Sequence, residues 1–264
     1  MNVIEAHNLN IGYRSSRRKS YVVHEGLELS LRDSTLTCVL GLNGTGKSTL
    51  LRTLCALQPK LSGEILLEGR RLEEYSQNDL SRRLGAVLTD RTNAGGITVR
   101  ELVSLGRYPH TGFFGKLSER DSDVVSDAMN ATGIAAKADR YVSQLSDGER
   151  QKAFIAKALA QESPIIVLDE PTAFLDVTSK FEVMALLKSL AVEQRKAVLL
   201  STHDLESALQ TADEIWLLGT EGPLVCGTPD SLVADGELAR FFSCDNVRFD
   251  SDLRRMVIGQ APVQ

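Results

Sequence analysis

The stretch GLNGTGKST at residues 41–49 has the residue types and spacing of a phosphate-binding loop. Glycines let backbone N–H groups turn inward around phosphate oxygens, and the helix predicted to follow adds a favourable dipole. Lys47 is expected to reach the β- and γ-phosphates of a nucleoside triphosphate, and the Ser48 hydroxyl to ligate Mg²⁺. The residues of this loop predicted to bind the nucleotide are Gly41, Asn43, Gly44, Thr45, Gly46, Lys47, Ser48 and Thr49.

Two acidic residues stand where an apolar strand is predicted to end. The run IIVLDEP at residues 165–171 brings Asp169 to the carboxyl edge of a sheet, where α/β proteins bind ligands. Asp169 is therefore expected to join Ser48 in holding Mg²⁺, and Glu170 to polarise the attacking water as a general base. Taken alone, an acidic pair at a strand end is more often structural, and it is the phosphate loop that favours chemistry here.

A histidine ends the next apolar strand, in the run AVLLSTH at residues 197–203. A lone histidine at a strand end is more often structural than functional. Three successive strand ends with residues suited to phosphate reverse that preference, so His203 is expected to contact the γ-phosphate. The predicted catalytic residues are Glu170, His203 and Lys47.

The stretch LSDGERQKAFIAKAL at residues 145–159 is predicted to begin a helix. Ser146 can cap the first turn and Glu149 can reach back to it, but this leaves the Asp-Gly pair between them unexplained. A helix start that carries Ser and Gly is also a ready anion site. Because Lys47 already occupies the surroundings of the γ-phosphate, a second such site would serve the nucleotide of another copy in a symmetric dimer. Spacing alone leaves both interpretations open.

The elements that must position these residues alternate between strand and helix patterns. Continuous apolar runs such as IIVL and AVLL suit parallel strands covered on both faces. Residues 1–97 and 163–264 are predicted to form a nucleotide-binding α/β core with a β subdomain, and residues 98–162 an inserted helical subdomain. Within the helical subdomain, the run RYPHTGFFGK is predicted to form a loop. The C-terminal tail after Phe242 has no pattern that predicts its secondary structure.

Composition describes an ordinary globular chain of 264 residues with 42% hydrophobic and 25% charged residues. The net charge of −5 gives no general reason to expect nucleic acid as a partner. No apolar stretch approaches a membrane span, and the N-terminus lacks the pattern of a signal peptide. Cys38 and Cys55 lie in apolar patterns without metal-type spacing, which favours small buried thiols in the cytosol.

Together these residues resemble the nucleotide-binding subunits of ABC transporters, over essentially the whole chain. The motifs that carry the resemblance are GLNGTGKST, LSDGE (usually Leu-Ser-Gly-Gly-Gln), IIVLDEP, AFLD and the histidine of STH. The resemblance implies an α/β P-loop NTPase (RecA-like) core with an N-terminal antiparallel β subdomain and an inserted helical subdomain. It also implies ATP and Mg²⁺ as cofactors, a homodimer, and nucleotide contacts from Ser146, Gly148 and Asp176. Tyr13 matches the aromatic that stacks on adenine in this family, although packing accounts for a Tyr there equally well.

Longer segments resemble one branch of the family, the importers for iron–siderophore, haem and cobalamin. The segment LGRYPHTG is the most specific to that branch, and it lies in the part of such proteins that receives the permease. The resemblance implies coupling of ATP hydrolysis to uptake through two permease subunits, with an extracytoplasmic substrate-binding protein as an indirect partner and no nucleic acid. It implies a cytoplasmic protein held on the inner face of the cell membrane.

One position departs from the family pattern. The Gln that normally ligates Mg²⁺ and links the active site to the helical subdomain falls on Thr89 in VLTDR. Thr is shorter, so its oxygen is expected to reach the metal through a bridging water, and Asp90 is an alternative ligand. This departure affects the link between the active site and the helical subdomain, and it leaves the ATPase assignment unchanged.

Two rival functions share these motifs. DNA-maintenance ATPases of the ABC type carry long heptad insertions between the phosphate loop and the LSDGE-type motif, and no heptads occur between Thr49 and Leu145. A scaffold ATPase for iron–sulfur assembly also has a single cassette, and co-purification of a membrane permease would distinguish it from an importer.

Overall fold

The computed structural model describes residues 1–14, 20–88, 96–112, 115–220, 222–243 and 246–259. Its strands are β1 (Asn2–Arg14), β2 (Ser20–Arg32), β3 (Leu36–Leu40), β4 (Ser62–Leu67), β5 (Arg70–Arg71), β6 (Leu84–Val87), β7 (Ile165–Asp169), β8 (Ala197–Thr202), β9 (Glu214–Leu217), β10 (Val225–Gly227), β11 (Val247–Asp250) and β12 (Arg255–Ile258). Its α-helices are α1 (Lys47–Leu54), α2 (Gln77–Arg83), α3 (Val99–Ser104), α4 (Glu119–Ala131), α5 (Asp147–Ala160), α6 (Val177–Val192), α7 (Leu205–Thr211), α8 (Pro229–Ala234) and α9 (Glu237–Phe242). Four 3-10 helices cover Leu72–Glu74, Leu105–His110, Ala135–Lys137 and Val142–Gln144.

A six-stranded sheet with the order β10-β9-β3-β8-β7-β6 forms the centre of the protein. All neighbours in it are parallel except the β10–β9 pair. Successive residues of a strand point to opposite faces, and here both faces are covered: in β7, Ile166 and Leu168 join one hydrophobic cluster while Ile165 and Val167 join the other. This double burial is why the strands read as continuous apolar runs, as the sequence predicted.

An antiparallel sheet with the order β2-β1-β4-β5 lies over one face of the central sheet. Leu50, Leu51 and Leu54 of α1 are fully buried in the same cluster as residues of β1, β2 and β4. The spacing of Leu50, Leu51, Leu54 and Leu57 predicts one face of a helix, which is right for the first three and wrong for Leu57, which lies beyond the end of α1 and is 58% exposed. The three buried leucines anchor the helix that follows the phosphate loop. A β subdomain at the N-terminus is likewise confirmed.

Helices dominate the chain from Thr98 to Ala160. Helix α4 begins at a capping box, in which the side chains of Ser118 and Asp121 each accept from the other residue's backbone N–H. The prediction of a loop at residues 107–116 is wrong for its first four residues, because Leu105–His110 form a 3-10 helix, whereas the described residues of this run after His110 lie outside helices and strands. Arg107 explains the ordering: its buried guanidinium donates to Asp121 Oδ1 at 2.9 Å and to the Ala160 carbonyl at 2.7 Å.

The tail that the sequence left unassigned contains the β11–β12 hairpin. Phe249 of β11 is buried against the cluster that includes α8 and α9. The predicted burial of Cys38 and Cys55 is confirmed, and this burial raises the pKa of both thiols to about 12. Among the described residues, no helix has both the length and the apolar character needed to cross a membrane.

Candidate functional site

Three neighbouring strands deliver the predicted site residues to one edge of the central sheet. In the order β3-β8-β7, the carboxyl ends lead into Gly41, His203 and Asp169. Carboxyl ends of parallel strands meet at the same edge, and this is where open α/β sheets bind ligands. Residues that lie far apart in sequence therefore come together here.

The loop between β3 and α1 requires glycine at two positions for steric reasons. A Cβ at Gly41 would lie 2.5 Å from the Leu218 carbonyl oxygen, and a Cβ at Gly46 would lie 2.4 Å from Cγ1 of Val23. Gly46 also has a φ of +92° and stands immediately before the first helical residue of α1. The chain thus turns tightly from strand into helix, with the helix N-terminus directed at the loop.

Lys47 is buried inside this loop. Its Nζ donates to the carbonyls of Gly41 at 2.9 Å and Leu42 at 3.1 Å, and it lies 3.7 Å from Oε1 of Glu170. The side chain is 5% exposed, and the loop's own carbonyls hold the ammonium. A positive charge fixed in this way is suited to meeting an anion that enters the loop.

Hydroxyl groups connect the two acidic residues to the phosphate loop and to β8. The Ser48 hydroxyl donates to Asp169 Oδ1 at 3.0 Å, and the Ser201 hydroxyl donates to the same oxygen at 2.7 Å. Ser201 Oγ in turn accepts from the backbone N–H of Glu170 at 2.9 Å. Ser201 is fully buried, so it orients both acidic residues. Sequence reasoning missed this role, although Ser201 stands two residues before His203 at the end of the same strand.

The donor set fits a magnesium ion. A hydroxyl and a carboxylate oxygen side by side are hard ligands, and Mg²⁺ in phosphate sites takes few protein ligands, with phosphate and water completing the set. Ser48 and Asp169 are the residues that would hold the ion.

Glu170 lies between two nitrogen groups at the sheet edge. Its Oε1 is 3.7 Å from Lys47 Nζ, and its Oε2 is 3.7 Å from Nδ1 of the half-exposed His203. The backbone of Glu170 has a φ of +50°, which a non-glycine residue rarely adopts and which is typically retained at functional sites. The strand end therefore turns so that the carboxylate stays beside the phosphate loop.

A cavity of about 540 Å³ opens over the loop. The described residues that line it are Tyr13, Tyr21, Val22, Val23, Asn43, Gly44, Thr45, Gly46, Lys47, Ser48, Thr49, Glu170 and Thr220. Tyr13 shares a hydrogen bond of 2.9 Å with the Thr49 hydroxyl and pairs directly across the β1–β2 ladder with Tyr21. Cross-strand partners face the same side of a sheet, so two tyrosines stand at the mouth of the cavity. Sequence reasoning found Tyr13 and missed Tyr21, which the alternation of β2 could have indicated.

Comparison with known proteins identifies the family of this site. Residues 24–173 match the ABC transporter family model. The ferric enterobactin transport ATP-binding protein of Escherichia coli is 38% identical over 240 residues, which are 90% of this chain and 86% of that protein. The chain belongs to the ABC transporter family. It is an ABC ATPase.

Other relatives agree with this assignment. The iron(3+)-hydroxamate import ATP-binding protein of Bacillus subtilis is 33% identical over 245 residues, which are 93% of this ABC ATPase and 89% of that protein. Among solved structures, a protein described as an ABC transporter of the metal-chelate type, in an inward-facing conformation, superposes with a TM-score of 0.78 at 28% identity, covering 92% of this chain and 89% of that one. The predicted family and fold class are therefore confirmed.

The LSDGE motif of the ABC ATPase forms the helix start that the sequence predicted. Ser146 Oγ accepts from the Glu149 N–H at 3.3 Å, and Glu149 Oε2 accepts from the Ser146 N–H at 3.0 Å. The Ser146 N–H and then the Lys137 ammonium lower the pKa of Glu149 to about 2. A second ion pair joins Asp147 to Arg150 at 3.0 Å. The cap is thus present, and both carboxylates beside it are paired with cations.

This helix start lies beside Asp176 and apart from the cavity. A Cβ at Gly148 would lie 2.9 Å from the Ser179 hydroxyl, and that hydroxyl donates to Asp176 at 2.8 Å. Ser146, Gly148 and Asp176 are absent from the described residues that line the cavity. The predicted nucleotide-binding residues therefore form two clusters in one copy of the chain, one at the cavity and one at the start of α5.

Thr89 and Asp90, the residues predicted at the position of the usual Gln, lie outside the described residues. Their part in metal binding and coupling stays a prediction.

Proposed function

We propose that this ABC ATPase binds MgATP in the cavity above residues 41–49 and hydrolyses it to drive import through a membrane permease. The observation that carries the proposal is the convergence of Lys47, Ser48, Asp169 and Glu170 beyond the carboxyl ends of β3 and β7, the two parallel strands on either side of β8. A buried ammonium, a hydroxyl–carboxylate pair and a second carboxylate are the groups that phosphoryl transfer requires. The other described members of the proposed site are Tyr13, Gly41, Asn43, Gly44, Thr45, Gly46, Thr49 and His203.

Each side chain has a separate task in this proposal. The loop N–H groups and Lys47 bind the β- and γ-phosphates, and Tyr13 receives the adenine. Ser48 and Asp169 hold Mg²⁺, which supplies charge that offsets the phosphates when bound. A carboxylate oxygen of Glu170 accepts a proton from the water that attacks the γ-phosphate. His203, which lies beside the other carboxylate oxygen from Lys47, contacts the γ-phosphate.

Replacing Ser201 with Ala is expected to lower ATP turnover about tenfold or more while ATP affinity changes little, because Asp169 and Glu170 lose the hydroxyl that aligns them. Ser201→Thr keeps the hydroxyl and serves as the matched variant, expected to retain most of the turnover. The measurement is kcat and KM of the purified ATPase with ATP and Mg²⁺. Equal kcat in Ser201→Ala and the wild type would contradict a positioning role.

We further propose a homodimer in which the cluster of Ser146, Gly148 and Asp176 closes over the partner's ATP. The separation of this cluster from the cavity within one copy supports the proposal. Asp176 immediately precedes α6, and large apolar side chains lie exposed around this start of the helix: Phe174 is 78% exposed, Val177 70% and Phe181 42%. A group of this kind is typical of a surface that a partner covers.

Replacing Ser146 with Arg is expected to leave a folded monomer that binds ATP but cannot close the dimer, because the long side chain blocks the partner's γ-phosphate. Turnover per bound ATP should then fall below about a tenth of wild type. Loss of the cap alone would lower the free energy of unfolding by about 1 kcal/mol and leave turnover unchanged. Thermal unfolding and turnover, measured on one sample, distinguish blocked dimer closure from loss of the cap. The control is Ser118→Arg at the cap of α4.

A groove of about 400 Å³ between α1, α2, β6 and α5 is the proposed docking place for the permease. Its lining is mostly apolar, with Leu57, Leu80, Leu84 and Phe154 among the described residues, and burial lowers the pKa of Lys157 at its edge. Apolar grooves of this shape accept amphipathic helices. The groove adjoins the proposed helical subdomain, residues 98–162, so a helix from each of two permease subunits would hold the dimer on the inner face of the membrane.

The proposed cargo is an iron chelate, haem or a cobalamin-type molecule delivered by an extracytoplasmic binding protein. The iron-chelate class rests on the Escherichia coli and Bacillus subtilis relatives, which serve ferric enterobactin transport and iron(3+)-hydroxamate import. The cobalamin class rests on a cobalamin import ATP-binding protein of Halobacterium salinarum, 38% identical over 83% of this chain and 54% of that protein. Haem rests on the sequence resemblance alone.

The test is uptake of a labelled ferric siderophore, haem and cobalamin by cells that lack this chain. Wild-type chain should restore uptake of one class, and Lys47→Ala should restore none. Affinity purification of the tagged wild type should also yield a membrane permease. If no uptake is restored and no membrane protein co-purifies, the importer proposal is wrong and the iron–sulfur scaffold alternative is favoured.

A further inference from the structure

A buried histidine on the antiparallel sheet contacts the phosphate loop from outside the cavity. His24 of β2 is 6% exposed, and its Nε2 lies 2.6 Å from the carbonyl oxygen of Thr45. A carbonyl oxygen can only accept, so Nε2 must carry the hydrogen of this bond. The contact therefore specifies which ring nitrogen of His24 is protonated.

The bond fixes the orientation of one peptide unit in the loop. The Thr45–Gly46 peptide is trans, so its C=O and N–H groups point in opposite directions. His24 holds the carbonyl and is absent from the described residues that line the cavity, whereas Gly46 is among them. In a trans peptide this leaves the Gly46 N–H on the side opposite His24.

A contact from outside the loop is needed to fix the orientation of the Thr45–Gly46 peptide. Gly44 and Gly46 have φ values of +82° and +92°, and glycine moves easily between backbone conformations that other residues avoid. If the Thr45–Gly46 unit turned over, a carbonyl oxygen would face the space where a phosphate binds, in place of an N–H. A carbonyl oxygen at this position repels an anion, whereas an N–H attracts it.

We propose that His24 is a positioning residue for phosphate binding: its Nε2–H clamps the Thr45 carbonyl so that the Gly46 N–H faces the bound phosphates. The proposal rests on the proposed function, since it requires a nucleotide in this loop. Val23, the neighbour of His24, packs so closely on Gly46 that no Cβ fits between them. Strand β2 therefore supports the loop through both a hydrogen bond and a steric contact.

Two substitutions separate the hydrogen bond from packing. His24→Leu fills the space without a donor, and His24→Gln offers an N–H of similar reach. We expect His24→Leu to weaken ADP binding about tenfold, or about 1.4 kcal/mol, and His24→Gln to stay within about threefold of wild type. His7→Leu and His7→Gln are the matched controls, because His7 lies in the same sheet, 3.1 Å from Glu28, and away from the loop. Both controls should bind ADP like wild type.

The readouts are the dissociation constant for ADP and the thermal unfolding midpoint of each nucleotide-free protein. A purely structural His24 would lower the midpoint in His24→Leu and leave ADP affinity unchanged, which would overturn the proposal. Equal losses of affinity in His24→Leu and His24→Gln would overturn it as well. If the wild type itself binds no ADP, the proposed nucleotide site fails, which is a distinguishable result.

Nitrogen-15 NMR of the wild-type imidazoles keeps the proposal testable if His24→Leu does not fold. The His24 signal is assigned by its absence in His24→Gln. A protonated Nε2 is expected, and an unprotonated Nε2 would rule out the clamp.

Discussion

Replacing Lys47 with Ala is expected to abolish measurable ATP binding and hydrolysis. The wild-type ammonium is enclosed by the Gly41 and Leu42 carbonyls, and its charge faces Glu170 at 3.7 Å. Without it, two carbonyl dipoles and a carboxylate remain beside the position of the phosphates, and the lysine charge that opposes them is gone. Hydrogen bonds to charged groups contribute roughly 1.5–3 kcal/mol each, so losing contacts to two phosphates lowers ATP affinity by about 100-fold or more.

The control for this substitution is Lys188→Ala. Lys188 is also a partly buried lysine in an ion pair, 2.6 Å from Asp213, but it lies outside the residues that line the cavity. The two variants should differ in ATP affinity, measured by titration calorimetry, and both should unfold cooperatively on heating. Wild-type turnover in Lys47→Ala would mean that residues 41–49 do not bind the phosphates.

Much of the site could be predicted from sequence because its residues stand at the ends of periodic elements. The apolar runs before Gly41, Asp169 and His203 are continuous, which indicates buried parallel strands, and parallel strands in one sheet end at one edge. The cap at Ser146 could be predicted for a similar reason, since a capping box is a local pattern with a fixed spacing.

The hydrogen bonds that hold the site in shape could not be predicted in this way. Ser201 reaches Asp169 across 32 residues and His24 reaches Thr45 across 21, and each contact depends on strand order and register. Seryl and histidyl side chains in strands have no spacing rule that marks them as partners. The 3-10 helix at Leu105–His110 was missed for the same reason, because buried Arg107 finds Asp121 and Glu162 only after α4 and α5 have packed.

Replacing Glu170 with Gln is expected to preserve ATP binding and remove hydrolysis. The amide has nearly the same shape, and the backbone N–H that donates to Ser201 is unchanged. It cannot accept a proton from water, and general bases contribute about 10²–10⁴ in rate, so turnover should fall by about that factor. Glu73→Gln is the control, because it also removes a carboxylate paired with a lysine, 2.6 Å from Lys60, at a distance from the cavity lining.

The same substitution also tests the dimer. Glu170 lies beside Lys47 and His203, so its charge repels a γ-phosphate bound between them, and neutralising it removes this repulsion and keeps ATP bound. Since ATP is no longer consumed, each bound molecule remains available to the Ser146–Gly148 helix start of the partner. Size-exclusion chromatography with saturating ATP should then show a stable dimer for Glu170→Gln, a monomer for the same protein without ATP, and a monomer for Glu170→Gln combined with Ser146→Arg. A Glu170→Gln protein that binds ATP yet stays monomeric would separate the catalytic role of Glu170 from the proposed closure and contradict the latter.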